Sequence, residues 1–177
     1  MNNSDYNIRL IKDEDAEQLF SLVTTNINRI KNYFPTTVKS ITDNGTAVNY
    51  IAEKKRQAIN RELFCFVIED SEKQKIAGII FIKSIDWNVC KAELGYFVDE
   101  KYAGKGIMSK SITKIIKYAF ENLLLNKLYL RAALDNISSK KVAEKNGFEV
   151  EGILRKDFKT MDGTIIDLIY YGLLKKN

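Results

Sequence analysis

The chain has no histidine. That absence removes Ser-His-Asp and Cys-His catalysis and every histidine-ligated metal site. The two cysteines, Cys65 and Cys90, stand far apart and match no zinc spacing, so no metal site and a reducing compartment are expected. One proline and nine glycines in 177 residues exclude collagen-like and proline-rich architectures. No apolar run reaches a membrane span; the longest, such as residues 76–82, are strand-length. The start, Met1-Asn2-Asn3-Ser4-Asp5, has no basic segment followed by an apolar one, so no signal peptide is read there. What is present is ordinary for a globular protein: 45% hydrophobic and 29% charged residues, enough for a core without staples. The expectation is one soluble, cytoplasmic domain over residues 1–177. A net charge of +5 favours an anionic partner, but the lysines are scattered, which argues against nucleic acid and against a membrane surface.

Residues 6–11 read as a strand, and Asp13 opens a helix that buries Ala16, Leu19, Phe20 and Val23 at helical spacing. Residues 26–61 look helical but irregular, with breaks at Pro35 and Gly45. From Leu63 the period changes to that of strands: 63–69 and 76–85 pair as a hairpin across a polar turn, and 92–98 follows beyond Asn88. These connections are too short for crossovers, so the strands run antiparallel. Residues 107–123 carry one broad apolar helical face, with Met108, Ile112, Ile115, Ile116, Ala119, Phe120 and Leu123. A strand at 128–134, a helix at 137–145 stopped by Asn146-Gly147, and strands at 148–154 and 164–174 joined through Asp162-Gly163 complete the chain. The fold class is α+β with a central mixed, mostly antiparallel sheet flanked by helices.

Three places could carry chemistry. Gly104-Lys105-Gly106-Ile107-Met108-Ser109 lies between a strand and the long helix, where glycines let consecutive N–H groups face one anion and a helix N-terminus adds positive potential. As an isolated Gly-Lys-Gly this is equally a shaped turn, and it is not a Walker loop. Asn136 is a natural helix N-cap, with Ser139 in the first turn beyond it. Glu93 sits in a strand ending Leu94-Gly95-Tyr96-Phe97-Val98, on the face shared with Gly95 and Phe97.

In this order the three resemble the GNAT superfamily of acetyl-CoA-dependent N-acetyltransferases, and most of all its RimJ/RimL branch, whose named members acetylate the N-termini of ribosomal proteins. The resemblance runs from Ile8-Arg9-Leu10 to Tyr171-Gly172-Leu173-Leu174. It is densest in Ile76-Ala77-Gly78, Glu93-Leu94-Gly95-Tyr96, Gly104 to Met108, Asn136-Ile137-Ser138-Ser139 and Glu144-Lys145-Asn146-Gly147-Phe148. It implies that the backbone of Phe97 and Val98 pairs with pantetheine and that the amides of Gly104, Lys105, Gly106, Ile107, Met108 and Ser109 cradle the pyrophosphate. It further implies that Asn136 holds the pantetheine arm and that Ser139 faces the sulfur.

Two departures stand out. The superfamily's Gln/Arg-x-x-Gly-x-Gly/Ala has Ala103 first and Met108 last, and the tyrosine that protonates the leaving thiolate in many members is Ala143 here. Ser139 is then the candidate proton donor or thiolate stabiliser. An α-amine with pKa near 8 costs about 1.4 kcal/mol to deprotonate at pH 7, a lysine near 10.4 about 4.6. Without histidine, a weak base fits an α-amine acceptor: Glu93 through a water, with Asp157 second. The resemblance thus implies direct acetyl transfer to a primary amine, a ribosomal-protein N-terminus first. A small amine or polyamine, or an inactive CoA-binding module, remain the alternatives. The exposed termini and last strand leave a homodimer open.

Overall fold

The computed structural model describes residues 6–176, so the N-terminal pentapeptide read for a leader lies outside the described residues. Seven strands form one sheet in the order β1-β2-β3-β4-β5-β7-β6, where β1 is Tyr6–Leu10, β2 Phe64–Asp70, β3 Lys75–Asp86, β4 Lys91–Val98, β5 Lys127–Ala133, β6 Glu149–Lys159 and β7 Ile165–Leu174. The helices are α1 (Ala16–Thr25), α2 (Ile27–Ile30), α3 (Pro35–Ser40), α4 (Asn44–Ile59), α5 (Ile107–Glu121) and α6 (Ile137–Lys145). This is the mixed, mostly antiparallel sheet with helices that the alternation of periods predicted. No helix among the described residues is long and apolar enough to cross a membrane. The chain divides into two compact units, one running to Phe81 with Tyr96–Ile107, the other Ile82–Gly95 with the chain from Met108 on.

In the first unit β1 pairs antiparallel with β2, from Tyr6↔Asp70 to Leu10↔Phe66. Phe64 to Ile68 of β2 are all buried, as expected of a strand covered on both faces. Its core joins Leu19, Val23, Ile30 and Ile51 from the helices to Val67 and Ile79 from the strands. Asp15, 2% exposed, ties this core to β1: Arg9 donates to both its oxygens at 2.8 Å, and the Lys12 N–H donates at 2.8 Å. A buried carboxylate persists only with such partners.

The breaks read at Pro35 and Gly45 are present, and each residue falls in the first turn of the helix that follows the break. Pro35 is the first residue of α3, where its missing N–H costs nothing, and Gly45 lies in the first turn of α4 behind the cap Asp43, whose Oδ1 accepts from the Thr46 N–H at 2.8 Å. The irregular stretch is therefore three separate helices.

In the second unit β4 pairs parallel with β5 from Lys91↔Lys127 to Glu93↔Tyr129, joined by the α5 crossover. Strand β7 pairs antiparallel with β5 and with β6. Strand β6 does not stop at Leu154 but runs to Lys159. The charged Arg155-Lys156-Asp157 hides the continuation because it bulges out between Leu154↔Leu168 and Phe158↔Ile166, breaking the alternation. A second bulge places Glu151 between Val150↔Tyr171 and Gly152↔Tyr170. Helix α5 buries Met108, Ile112, Ile115 and Ala119, while Ile116 and Phe120 are half-buried at the edge of that face.

Gly78 on β3 is held by packing: a Cβ there would lie 2.7 Å from the Phe97 carbonyl oxygen and 3.1 Å from the Val98 Cα. Both are backbone atoms that cannot turn away. Gly78→Ala should cost about 1–3 kcal/mol as overpacking, lowering the melting temperature by about 2–4 °C per kcal/mol; an unchanged thermal scan would show that the end of β4 yields freely.

Candidate active site

In the first unit the end of β4 and the glycine loop are contiguous. The Phe97 side chain is buried against Phe34, ring centroids 5.1 Å apart, so only its backbone is available to a ligand. The Val98 carbonyl accepts from Arg29 Nη1 at 3.3 Å, and the Asp99 N–H donates to the Ala77 carbonyl at 2.8 Å, which fixes the strand's exit. A short 3-10 turn, Glu100–Tyr102, follows, with Asp99 accepting from the Lys101 N–H at 2.8 Å.

Gly104 and Gly106 both have φ of +75°, and a Cβ built on either meets nothing within 4 Å. Side-chain-bearing residues avoid that backbone geometry, and the open space leaves the amides approachable. None of the loop hydrogen bonds among the described residues uses the N–H of Gly104, Lys105 or Gly106. The loop delivers unused donors to the start of α5, where helical N–H groups are also unpaired. Ile107 and Met108 turn their side chains into the core. Met108, at the position where the resemblance has a small residue, is thus a buried side chain rather than an exposed one. Lys105 Nζ rests on the Lys101 carbonyl at 2.7 Å, 5.6 Å from the centre of the Tyr102 ring.

Tyr102 anchors the loop, a role not visible in the sequence. It is buried, and its hydroxyl donates to Asp70 Oδ2 at 2.9 Å. Asp70 Oδ1 accepts from the N–H groups of Glu72 and Lys73, each at 3.1 Å. Burial by itself raises the Asp70 carboxyl, but these donors and the Lys73 ammonium outweigh it and hold the carboxyl below the usual aspartate value. Burial and the Asp70 bond push the Tyr102 phenol up to about 12.

In the second unit Asn136 does what its position before a helix predicts: Oδ1 accepts from the Ser139 N–H at 3.1 Å and from the Ser138 hydroxyl at 2.9 Å. Its amide nitrogen, with two hydrogens to donate, has no protein partner among the described residues. Ser139 is half-buried in the first turn of α6. Ser109 is tied to the far end of that helix, because Asn146 donates to its hydroxyl at 3.1 Å and accepts from Thr113 at 2.8 Å. Asn146, legible only as a helix stop, thus braces the first turn of α5.

Glu93 is 5% exposed and heavily paired. Arg131 donates to it through Nε at 3.3 Å and Nη2 at 3.1 Å, Lys83 Nζ lies 3.4 Å away, and the Ser84 hydroxyl donates at 3.4 Å. Arg131 Nη1 also donates to Asp157 Oδ2 at 2.9 Å. The two carboxylates named as bases from sequence are therefore brought together, and the residue that joins them was missed. Four residues along β5 the same pattern recurs, with Lys127 2.6 Å from Glu151. Between these pairs Tyr129 stacks on Tyr170, centroids 5.0 Å apart and planes within 11°. Burial, then the neighbouring Tyr129 and acidic groups, push the Tyr170 phenol up to about 12. The Cys65 thiol is likewise pushed up to about 12 by burial, which makes it an inert core group. No group of residues among those described could hold a metal ion.

The seven-stranded mixed sheet with its helices, and an open glycine loop leading into a helix, fit the class of transferases that take an acyl group from a CoA thioester. The acetyltransferase (GNAT) domain family matches residues 6–149, and the chain belongs to that family. It is 32% identical over 175 residues to YdaF of Bacillus subtilis (strain 168), a protein named as a candidate ribosomal N-acetyltransferase, covering 98% of this chain and 93% of that one. It is 32% identical over 93 residues to the spermidine N(1)-acetyltransferase of Vibrio cholerae serotype O1, covering 52% of this chain and 53% of that one. The crystal structure of the microcin C7 self-immunity acetyltransferase MccE in complex with acetyl-CoA and AMP superposes with a TM-score of 0.87 at 26% identity, over 98% of this chain and 94% of that one. The chain is thus a RimJ/RimL-like N-acetyltransferase that uses acetyl-CoA.

The Asp70 anchor generates a pH prediction. A carboxyl whose folded pKa lies below its unfolded value of about 3.9 contributes stability above that value and loses it as pH falls through the lower folded pKa. Asp70→Asn should lower the urea midpoint at pH 7 and flatten its fall between about pH 5 and pH 2. An unaltered acid limb would show that Asp70 carries none of it.

Proposed function

We propose that the protein transfers acetyl from acetyl-CoA directly to a primary amine, with the N-terminal α-amine of a protein, a ribosomal protein first, as the acceptor. Acetyl-CoA supplies the acetyl group as an activated thioester. The amine lone pair attacks the acetyl carbonyl, the C–N bond forms as the C–S bond breaks, the amine loses a proton, and CoA leaves as the thiol. The chain binds and orients. The amides of Gly104 to Ser109 hold the pyrophosphate, the backbone of Phe97 and Val98 meets pantetheine, and the amide nitrogen of Asn136 donates to the pantetheine arm. The Ser139 hydroxyl meets the sulfur and returns the proton. The observation that carries this reading is the glycine cradle, with two left-handed residues and clear space above both.

The acceptor's proton needs only a weak base if it is an α-amine. Of the two carboxylates, Glu93 is buried and already takes three charge-assisted donors, whereas the Asp157 side chain is 37% exposed and takes one. That difference favours Asp157 for contact with the amine and Glu93 as a fixed charge behind it. Polyamine acetylation is the second reading, supported by the likeness to the spermidine enzyme over half the chain.

Calorimetric titration with acetyl-CoA, followed by CoA release against N-terminal peptides, spermidine and an α-blocked lysine, tests the reading. Micromolar binding and turnover of the peptides are expected; turnover of spermidine alone would replace the acceptor. Gly106→Glu should abolish binding by setting a side chain and a negative charge in the cradle. Ser139→Ala should bind normally and turn over more slowly, general acid catalysis being worth about 10²–10⁴. Full turnover by Ser139→Ala would remove Ser139 from the chemistry, and absence of acetyl-CoA binding would overturn the cradle.

A further inference from the structure

Arg131 spends three donors on two carboxylates from different strands. Nε and Nη2 face Glu93 of β4, and Nη1 faces Asp157 in the β6 bulge, beyond the intervening β7. A regular β6 has no means of bringing that carboxylate over. Three residues, Arg155, Lys156 and Asp157, stand where the pairing offers one position opposite Asp167. The bulge is held by backbone: Lys156 has φ of +53°, and its N–H donates to Asp167 Oδ1 at 2.8 Å. Side-chain-bearing residues rarely take that conformation, so the surroundings must enforce it. The resulting surface is an open depression lined by Ile153, Leu154, Arg155, Lys156, Asp157 and Asp167.

The charges around Arg131 balance. Glu93 and Asp157 are negative, Arg131 and Lys83 positive, and Ser84 and Tyr129 are the neutral groups beside them. Glu93 is enclosed, and Asp157 Oδ2 is taken by Arg131. The Asp157 side chain is 37% exposed, and its other oxygen, Oδ1, has no protein donor among the described residues.

We propose that Arg131 is the positioning residue of the acceptor site: anchored by the buried Glu93, it holds Asp157 so that its outer oxygen accepts an N–H of the acceptor amine. This rests on the amine-acetylation reading above and adds the residue that sets the geometry. On this proposal Arg131 acts through Asp157, so its effect falls on the acceptor.

The test compares Arg131→Gln, Asp157→Ala and the double variant Glu93→Gln/Arg131→Gln with the wild-type chain, measuring acetyl-CoA affinity, amine KM and kcat separately. Arg131→Gln should raise the amine KM tenfold or more while acetyl-CoA affinity stays within twofold, and Asp157→Ala should do the same. The double variant removes the buried carboxylate that Arg131→Gln leaves with only Lys83 and Ser84, and so should recover the thermal stability lost in the single one, yet keep the raised amine KM. Recovery of the wild-type KM in the double variant would mean that Arg131 only neutralises Glu93, and a wild-type KM in Asp157→Ala would take away the group being positioned; either overturns the proposal. If Arg131→Gln does not fold, the double variant and Asp157→Ala still decide it. A wild-type chain that binds acetyl-CoA but acetylates no amine overturns the acceptor reading and this proposal together, whereas defects confined to the variants bear on Arg131 alone.

Discussion

A carboxylate buried in a sheet has to be compensated, and much of the second unit is arranged around that requirement at Glu93. Water solvates a charge far better than protein does, and an unpaired buried anion costs several kcal/mol. Here the compensation comes from two neighbouring strands: Lys83 and Ser84 near the end of β3 and Arg131 on β5. Arg131 then has a donor left over, and the bulge in β6 brings Asp157 to it. The arrangement at Lys127 and Glu151 repeats the device four residues away. The Glu151 carboxylate lies over Gly172, where a Cβ would sit 2.0 Å from Oε1 and would make that side chain swing aside. Both bulges carry an acidic side chain to a basic one on β5 that regular pairing keeps out of reach.

The first unit solves a different problem, which is to keep a loop rigid while leaving its amides unused. Rigidity comes from the flanks. Tyr102 is pinned to Asp70 before the loop, and Ile107 begins burying side chains directly after it. Between these anchors Gly104 and Gly106 occupy left-handed backbone that other residues enter only at a cost. Preorganised donors bind an anion better than flexible ones because little ordering remains to be done on binding. Gly78 contributes from the side by letting β3 approach the carbonyl of Phe97.

The absence of histidine has a consistent chemical meaning across the chain. Thioester aminolysis needs neither a metal nor a strong base when the acceptor is an α-amine, which is the acceptor we propose, with a carboxylate near Arg131 for its proton. Ala143, where many family members carry a tyrosine, is fully buried in α6, and the proposed mechanism gives the donor's part to Ser139 on the same helix.

Local signals were legible from the chain alone. Hydrophobic period distinguished strands from helices, Asn136 announced the start of α6, and Gly104 and Gly106 marked a loop that needs positive φ. Those features depend on neighbours within a few residues, so sequence determines them, and the ordered motifs sufficed for the family. Pro35 and Gly45 marked where α2, α3 and α4 are separated, because a proline or glycine in the first turn of a helix is also a local signal. The β6 bulges were hidden because a bulge breaks the alternation by which strands are recognised. The pairing of Glu93 with Arg131, and of Arg131 with Asp157, was beyond sequence altogether. These contacts lie 38 and 26 residues apart along the chain. Only the strand order β4-β5-β7-β6 and a two-residue irregularity bring them within hydrogen-bonding distance. Sequence determined which groups the protein has and where its backbone must bend; tertiary structure decided which charges meet, because charges interact through space and the sheet sets the distances.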